Sequence, residues 1–382
     1  MHTNRYETLD GWRGLAALAI TFYHVPVAHA FRDLAGWKNL EFFVDFFFVL
    51  SGFVICHAWG KRIATTGDAK TFMIRRFWRV WPLHIVILGV FLAIECAEWL
   101  AVKAIGLSLG DAPFTGPSSV PALLSNIVLM QSLNLHGTTT WNGPAWSISV
   151  EFWTYLAFAA VMLFAAGRTW VMALLAALGA LVIALFSPIW LFATHDFGLA
   201  RALYGFFAGA VAYRLLVPQA GAARSGSVLE IAAVLAMFVW MAGTGKNWTS
   251  LLAPIVFVGL VVVFARGGGV LTRFLMSKPV QLLGLWSYSI YLVHTLIYYG
   301  LRIVLVAAEK KLGWTFTASG TGSERLFSFG GSVTNMAVIL GLLALTVAIS
   351  AVTYRLIEKP FMQGAGPVKT GVPARSSSLA AG

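Results

Sequence analysis

The chain has 382 residues, of which 59% are hydrophobic and only 11% are charged, and its mean hydropathy is +0.79. This composition excludes an ordinary soluble domain and indicates an integral membrane protein. The formal net charge of +12 would suit nucleic-acid binding, but the distribution of the basic residues explains it as membrane topology.

Long apolar runs recur along the chain and predict an all-α polytopic membrane protein of about ten transmembrane helices, because each run can cross about 30 Å of hydrocarbon. Their continuity argues against a β-barrel. The predicted spans are residues 9–28, 40–59, 80–101, 145–166, 170–192, 199–217, 228–244, 248–265, 285–307 and 333–356.

Basic residues predict the orientation of these spans. Of the 27 Lys and Arg residues, 17 fall on the same side of the membrane as the N-terminus and nine on the opposite side, while Arg13 lies inside the first span. The positive-inside rule therefore predicts that both termini are cytoplasmic. We expect one membrane domain over residues 1–362 and a disordered cytoplasmic tail over residues 363–382, which is rich in Gly, Ser, Ala and Pro.

Two outward-facing loops, residues 102–144 and 308–332, are unusually long. The first includes the apolar stretch ALLSNIVLM, which is expected to form a short or partly embedded helix. Long loops are often binding elements, although a plain surface connection is an equally good interpretation.

The first span reads LDGWRGLAALAITFYHV and carries Arg13 and His24. Ionisable groups are costly at membrane depth, so each needs an explanation. A separation of eleven residues puts both on one helix face, about 16.5 Å apart. The alternatives are a snorkelling side chain for Arg13 and a structural interior histidine for His24.

The second span, EFFVDFFFVLSGFVI, places Asp45 inside a phenylalanine-rich run. An unpaired carboxylate would be costly there, so we expect Asp45 to face the bundle interior and to have a partner. Ser51 and Gly52 suit close helix packing at least as well as catalysis.

The stretch IRRFWRVWPLH contains Arg75, Arg76 and Arg79 at the cytoplasmic start of the third span. If this segment is helical, Arg76 and Arg79 project from one face and can clamp phosphates through forked hydrogen bonds. Ordinary positive-inside anchoring is the alternative interpretation.

Further ionisable residues lie in later spans. Glu151, in WNGPAWSISVEFWTYL, is a second carboxylate at membrane depth that needs a partner such as an arginine or histidine. His294, in SYSIYLVH, and Glu358, in YRLIEKPF, suit bundle hydrogen bonding and helix termination at least as well as chemistry.

Taken together, six stretches resemble the acyltransferase 3 family of multi-pass bacterial membrane proteins, which O-acylate cell-surface carbohydrates and related acceptors. The resemblance extends from about residue 8 to residue 362, and the order of the stretches makes it specific. They are LDGWRGLAALAITFYH, DFFFVLSGFVI, RRFWRVWP, GPAWSISVEFWTY, SYSIYLVH and YRLIEKPF.

This resemblance implies transfer of an acyl group, usually acetyl, from cytoplasmic acyl-CoA to a hydroxyl presented from the other face of the bacterial inner membrane. The family's arginine-x10-histidine pattern falls on Arg13 and His24, its arginine-x2-arginine pattern on Arg76 and Arg79, and its embedded glutamate on Glu151. No resident cofactor or metal is expected, and acetyl-CoA is expected as donor substrate.

Candidate roles follow from these residue types. Arg76 and Arg79, with Arg75 beside them, would hold the donor phosphates, and Arg13 lies just inside them. His24 would act as general base or as nucleophile, and the sequence leaves this choice open. Asp45 or Glu151 would orient the imidazole or balance Arg13.

Several alternatives remain open from the sequence. A proton-coupled secondary transporter would also use buried ionisable groups, although no internal repeat supports it, and a scaffold for glycan assembly is a third interpretation. The acceptor can be an exported glycan, a lipid-linked sugar or a small secreted molecule. Some family members carry a fused extracytoplasmic domain that this sequence lacks, so we expect the chain to act alone or with a separate extracytoplasmic transferase.

Overall fold

A computed structural model describes residues 6–105, 112–217, 224–320 and 325–364. Most of the predicted tail, residues 365–382, therefore lies outside the described residues. Within the described ranges, helices dominate, and the only strand pair is a short hairpin in the segment before the last long helix.

The α-helices define an all-α polytopic membrane protein. They are α1 Glu7–Tyr23, α2 Phe43–Trp59, α3 Thr66–Ile105, α4 Val120–Ile127, α5 Trp146–Phe164, α6 Thr169–Phe186, α7 Gly198–Leu216, α8 Ser227–Gly243, α9 Ala253–Arg266, α10 Val270–Leu275, α11 Lys278–Leu312, α12 Ser332–Thr353 and α13 Lys359–Gly364. A π-helical turn, Tyr354–Glu358, joins α12 to α13.

Each of the ten predicted spans coincides with one of these helices. In the described part of the chain, eight helical segments are long and apolar enough to cross a membrane. The other two predicted spans correspond to α1 and α8, which have 17 residues each. In the most apolar 18-residue stretch of each helical segment, 72% is buried for α2 and only 17% for α12. Helix α2 therefore lies at the centre of the bundle and α12 at its periphery.

Helix α3 begins much earlier than its predicted span, at Thr66 instead of residue 80. Its first turn is closed by a capping box, in which Asp68 Oδ2 accepts from Thr65 N at 2.9 Å and Thr65 Oγ1 accepts from Asp68 N at 3.2 Å. The polar first turns carry no hydropathy signal, which is why the sequence misses them. As a result, Arg75, Arg76 and Arg79 lie on one continuous helix.

Two pairs of glycines allow the closest helix contacts. A β-carbon at Gly52 of α2 would collide with the backbone of Phe206, and one at Gly209 of α7 would collide with the backbone of Val49. The close-packing interpretation of Gly52 is therefore confirmed.

Helices α1 and α11 meet in the same way. A β-carbon at Gly14 would lie 2.5 Å from Gly284 N, and one at Gly284 would collide with the carbonyl of Asp10. Only residues without a side chain allow the two backbones to approach this closely.

The long loops have structure of their own. The short helix α4 overlaps the ALLSNIVLM stretch, as predicted, and is attached to α3 by His84, whose Nε2 lies 3.0 Å from the carbonyl of Asn126. In the second loop, strand β1 (Thr317–Ser319) pairs antiparallel with β2 (Leu326–Phe327). Phe327 N also donates to Pro26 O at 2.9 Å, which anchors the hairpin to the segment that follows α1.

Replacement of Gly209 tests the α2–α7 contact. We expect Gly209→Ala to destabilise the protein by about 1–3 kcal/mol, because the added methyl overpacks the interface. The matched control is Gly259→Ala in α9, where a β-carbon meets nothing within 4 Å; it should gain up to about 1 kcal/mol through helix propensity. Thermal unfolding in detergent measures both, and equal effects of the two variants would contradict the packing argument.

Candidate active site

Helix α1 carries the two residues that define the ends of the candidate site. It is continuous from Glu7 to Tyr23, and His24 is its C-capping residue. An α-helix rises 1.5 Å per residue, so the eleven positions from Arg13 to His24 span about 16.5 Å. The two side chains therefore serve two different regions of the bundle.

Arg13, Arg76, Arg79 and Glu151 form a group that we call the arginine cluster. Arg13 Nη1 lies 3.2 Å from Asp10 Oδ1 on its own helix. Its guanidinium also interacts electrostatically with Arg79 and Glu151, and Arg76 interacts with the same two residues. The fold thus brings together helices α1, α3 and α5 around Glu151.

Tyr155 organises the centre of this cluster. Its hydroxyl donates to Glu151 Oε1 at 2.6 Å and lies 3.3 Å from Ser51 Oγ. The guanidinium carbon of Arg76 is 6.0 Å from the ring centroids of both Tyr155 and Phe72. Aromatic faces on an arginine hold its planar group while its N–H donors stay available.

Arg79 is oriented by the π-helical turn that follows α12. Its Nη1 lies 3.8 Å from Glu358 Oε2, and the other carboxylate oxygen, Oε1, accepts a hydrogen bond from Ser289 Oγ. Glu358 belongs to the π-helical turn Tyr354–Glu358, which precedes Pro360, a residue that cannot complete regular α-helical hydrogen bonding. The YRLIEKP stretch therefore supplies a buried carboxylate to the arginine cluster.

Arg75 contacts a different neighbour. Its guanidinium carbon is 5.9 Å from the ring centroid of Trp59 at the end of α2. A single step along a helix rotates the side chain by about 100°. Arg75 is accordingly set apart from Arg76, although all three predicted donor-binding arginines lie within one turn and a half of α3.

Asp45 is completely buried, and its partner is Arg201. The ion pair is bidentate, with Arg201 Nε donating to Oδ1 at 2.9 Å and Nη2 donating to Oδ2 at 2.6 Å. Arg201 Nη1 also donates to Ala193 O at 2.9 Å, and the ring of Trp146 lies 5.1 Å from the guanidinium carbon. Asp45 thus has a partner in the bundle interior, as expected from the sequence, and both of its carboxylate oxygens accept hydrogen bonds from Arg201.

A cavity of about 440 Å³ lies at the other end of α1, within the usual size range of ligand pockets. We call it the histidine cavity, because the accessible side chain of His24 lines it. Its wall combines aromatic rings with a few charged groups. The aromatic residues are Phe91, Trp141, Trp146, Tyr291, Tyr298 and Tyr299, and the charged residues are Glu41, Arg201 and Arg302.

The hydrogen bonds of His24 assign its tautomer. Its Nδ1 lies 2.9 Å from the carbonyl oxygen of Ile20. A carbonyl oxygen can only accept, so Nδ1 carries the proton and the neutral ring has its lone pair on Nε2. Because the ring is accessible at the cavity, this nitrogen is suited to take a proton from a hydroxyl or to attack a carbonyl.

Sequence reasoning missed several of the contacts that build this site. Tyr155 lies four residues after Glu151 and therefore on the same helix face, a spacing that could have indicated the pair. The sorting of basic residues counts Arg201 on the side of the membrane opposite the N-terminus, whereas its side chain lies buried in the first turn of α7. His294 lies with its Nε2 only 3.3 Å from His24 Nδ1, a contact between residues 270 positions apart that no local pattern reveals.

Comparison with known proteins identifies the family. Residues 6–355 match the acyltransferase domain that defines the acyltransferase 3 family. The chain belongs to this family. With its all-α polytopic fold, it is a multi-pass membrane acyltransferase, and the resemblance inferred from the six sequence stretches is confirmed.

Three curated proteins are similar to this family member, and two of them are acyltransferases by name. Acyltransferase MdmB of Streptomyces mycarofaciens is 26% identical over 405 residues, which cover 96% of this chain and 95% of MdmB. Peptidoglycan O-acetyltransferase OatA of Listeria monocytogenes is 26% identical over 339 residues, 76% of this chain and 50% of OatA. Protein 2 in the picA locus of Rhizobium radiobacter is 32% identical over 162 residues, 38% of this chain and 77% of that protein. No solved structure matches this acyltransferase at a comparable level of significance.

The buried ion pair between Asp45 and Arg201 predicts a large effect on stability. Asp45→Asn leaves the Arg201 guanidinium without its charge partner and should cost about 3–5 kcal/mol. Arg325→Gln is the control, because its ion pair with Glu309 is partly open to water and should contribute about 1 kcal/mol or less.

A double-mutant cycle distinguishes the interaction between Asp45 and Arg201 from nonspecific destabilisation of the fold. Asp45→Asn combined with Arg201→Gln should be less destabilising than the sum of the single variants, because each single change strands a buried charge. Unfolding followed in detergent measures all three. Strict additivity would mean that the two side chains do not stabilise each other.

Proposed function

We propose that this protein is a bacterial inner-membrane O-acyltransferase that moves an acyl group, most simply acetyl, from cytoplasmic acyl-CoA to a hydroxyl of an exported or surface glycan. The observation that carries the proposal is α1, which joins the arginine cluster at Arg13 to the histidine cavity at His24. Both termini are cytoplasmic in this proposal, in accordance with the distribution of Lys and Arg.

The arginine cluster supplies the chemistry of a donor site. Acyl-CoA carries phosphates at one end and a thioester at the other, and guanidinium groups bind phosphate oxygens through strong charge-assisted hydrogen bonds. Arg76 and Arg79 would hold the phosphates, with Arg13 next along the path. The pantetheine arm is long and flexible, so it suits the distance of about 16.5 Å between Arg13 and His24.

The histidine cavity supplies the chemistry of an acceptor site. Aromatic rings such as Trp141 and Tyr299 present flat apolar faces that suit sugar rings, while Glu41 and Arg302 offer an acceptor and donors for hydroxyl groups. The name of OatA describes an O-acetyltransferase that acts on a glycan polymer, peptidoglycan, which supports a carbohydrate acceptor for this chain as well.

In the simplest reaction, His24 acts as general base. Its Nε2 takes the proton of the acceptor hydroxyl while the hydroxyl oxygen forms a bond to the thioester carbonyl carbon. The carbon–sulfur bond then breaks, and His24 returns the proton to the leaving thiolate. In the alternative route Nε2 itself forms an acyl-imidazole that the hydroxyl attacks; trapping of labelled acyl-enzyme distinguishes the two.

Loss of the His24 imidazole should abolish transfer. We expect His24→Ala to lower the rate by at least about 100-fold, the order of magnitude of general-base catalysis, while the protein remains in the membrane. His57→Ala is the control, because His57 lies at the opposite end of the bundle, 2.9 Å from the hydroxyl of Tyr213.

Transfer is measured with purified protein in liposomes, radiolabelled acetyl-CoA and an added oligosaccharide. A wild-type protein that leaves acetyl-CoA intact, or a fully active His24→Ala variant, would contradict the proposal. A secondary transporter would give the first of these results. Addition of a fraction that contains the extracytoplasmic proteins tests whether a separate transferase partner is required.

Removal of a donor-site arginine should act on donor affinity. We expect Arg76→Ala or Arg79→Ala to raise KM for acyl-CoA by about 10-fold or more, because a hydrogen bond to a charged group contributes about 1.5–3 kcal/mol. Exposed Arg168, in the turn before α6, provides the control variant Arg168→Ala. An unchanged KM in both cluster variants would remove the phosphate-binding role.

A further inference from the structure

Within the described residues, His294 provides the side-chain hydrogen-bond contact of His24. The two imidazoles lie with His294 Nε2 3.3 Å from His24 Nδ1 and with ring centroids 5.1 Å apart. His294 is completely buried, whereas His24 is accessible at the cavity. One histidine therefore stands behind the other, away from the acceptor.

Backbone carbonyls fix the protons of both rings. Ile20 O lies 2.9 Å from His24 Nδ1, and Ile290 O lies 3.3 Å from His294 Nδ1. Both carbonyls can only accept, so each ring carries its proton on Nδ1. His294 Nε2 is then an acceptor that faces the Nδ1–H of His24, which donates to Ile20 and to His294 together.

The fold holds this pair in register. Two residues without side chains, Gly14 and Gly284, let α1 and α11 pack in direct backbone contact. One turn beyond His294, the Tyr298 hydroxyl donates to Thr21 O of α1 at 3.0 Å. The two histidine-bearing helices are thus joined on both sides of the pair, which limits relative movement of the rings.

The predicted carboxylates have other partners. Asp45 is bound by Arg201 at 2.6 Å, and Glu151 accepts from Tyr155 at 2.6 Å. A working histidine needs an acceptor behind it to hold its orientation and to stabilise the imidazolium that forms. In this protein the group found in that position is a neutral imidazole.

We propose that His294 is the positioning residue of His24: its Nε2 accepts the His24 Nδ1–H, holds the catalytic lone pair toward the cavity, and stabilises the positive ring during acyl transfer. This inference rests on the proposed function. As the hydroxyl O–H bond breaks and an N–H bond forms at His24 Nε2, the Nδ1 proton stays on His24 and becomes a stronger donor to His294.

A pair of substitutions tests the position of the acceptor atom. His294→Gln places an amide oxygen near the position of Nε2 in the wild-type ring. The shorter side chain of His294→Asn places its amide only near the position of Nδ1. Both variants replace the imidazole with an uncharged amide. We expect His294→Asn to lower kcat by about 10- to 100-fold, by analogy with the loss of the outer hydrogen-bond partner of a metal-bound histidine, and His294→Gln to recover most of this loss.

Michaelis constants separate positioning from packing. KM for acetyl-CoA and for the oligosaccharide should stay within twofold of wild type in both variants, because His294 is buried behind His24. His84→Gln is the control for a buried histidine bonded to a backbone carbonyl, since His84 is also completely buried; it should leave kcat within threefold even if thermal stability falls.

Equal kcat values for His294→Gln and His294→Asn would overturn the inference, as would a kcat within threefold of wild type for His294→Asn. These results differ from failure of the proposed function, which wild type and His24→Ala report in the same assay. Active wild type, inactive His24→Ala and fully active His294→Asn would reject the positioning role alone.

Discussion

The close contact between α1 and α11 is the constraint on which the site depends. Gly14 and Gly284 allow the two backbones to touch, and this contact fixes the position of every functional group that α1 carries relative to α11. Toward the middle of α11, Ser289 binds Glu358, which in turn faces Arg79. Further along the same helix, His294 lies against His24. The same helix pair thus supports both the arginine cluster and the histidine cavity.

Charge pairing at membrane depth explains why the ionisable residues are arranged as they are. A buried charge without a partner is costly in a medium of low dielectric constant. Asp45 and Arg201 satisfy each other almost completely, so their contribution lies in joining α2 to α7 beside the cavity. The arginine cluster is different, since its carboxylate contacts, at 3.2 Å for Arg13 and 3.8 Å for Arg79, are longer than the 2.6 Å contact between Arg201 and Asp45. Guanidinium groups that are held less tightly suit the phosphates of the proposed donor.

In this member of the acyltransferase 3 family, the two ends of α1 carry different functional groups. The arginines proposed to bind the donor phosphates lie at one end of α1, and a histidine with an assigned lone pair lies at the other, in a cavity lined by aromatic rings. The proposed reaction needs both ends, because the donor is made on one side of the membrane and a glycan acceptor is presented on the other. A helix of ordinary length is sufficient to connect them.

The sequence by itself determined the fold class, the ten helical spans and the residues that needed explanation, because hydropathy and helical spacing are local properties. It placed Arg13 and His24 on one face, and it paired Arg76 with Arg79. Only the tertiary structure decided three of the partners: Arg201 for Asp45, Glu358 for Arg79 and His294 for His24. All three pairs join residues more than 150 positions apart. Such contacts are set by how glycine-lined helices pack, and that packing leaves no periodic signal in the sequence.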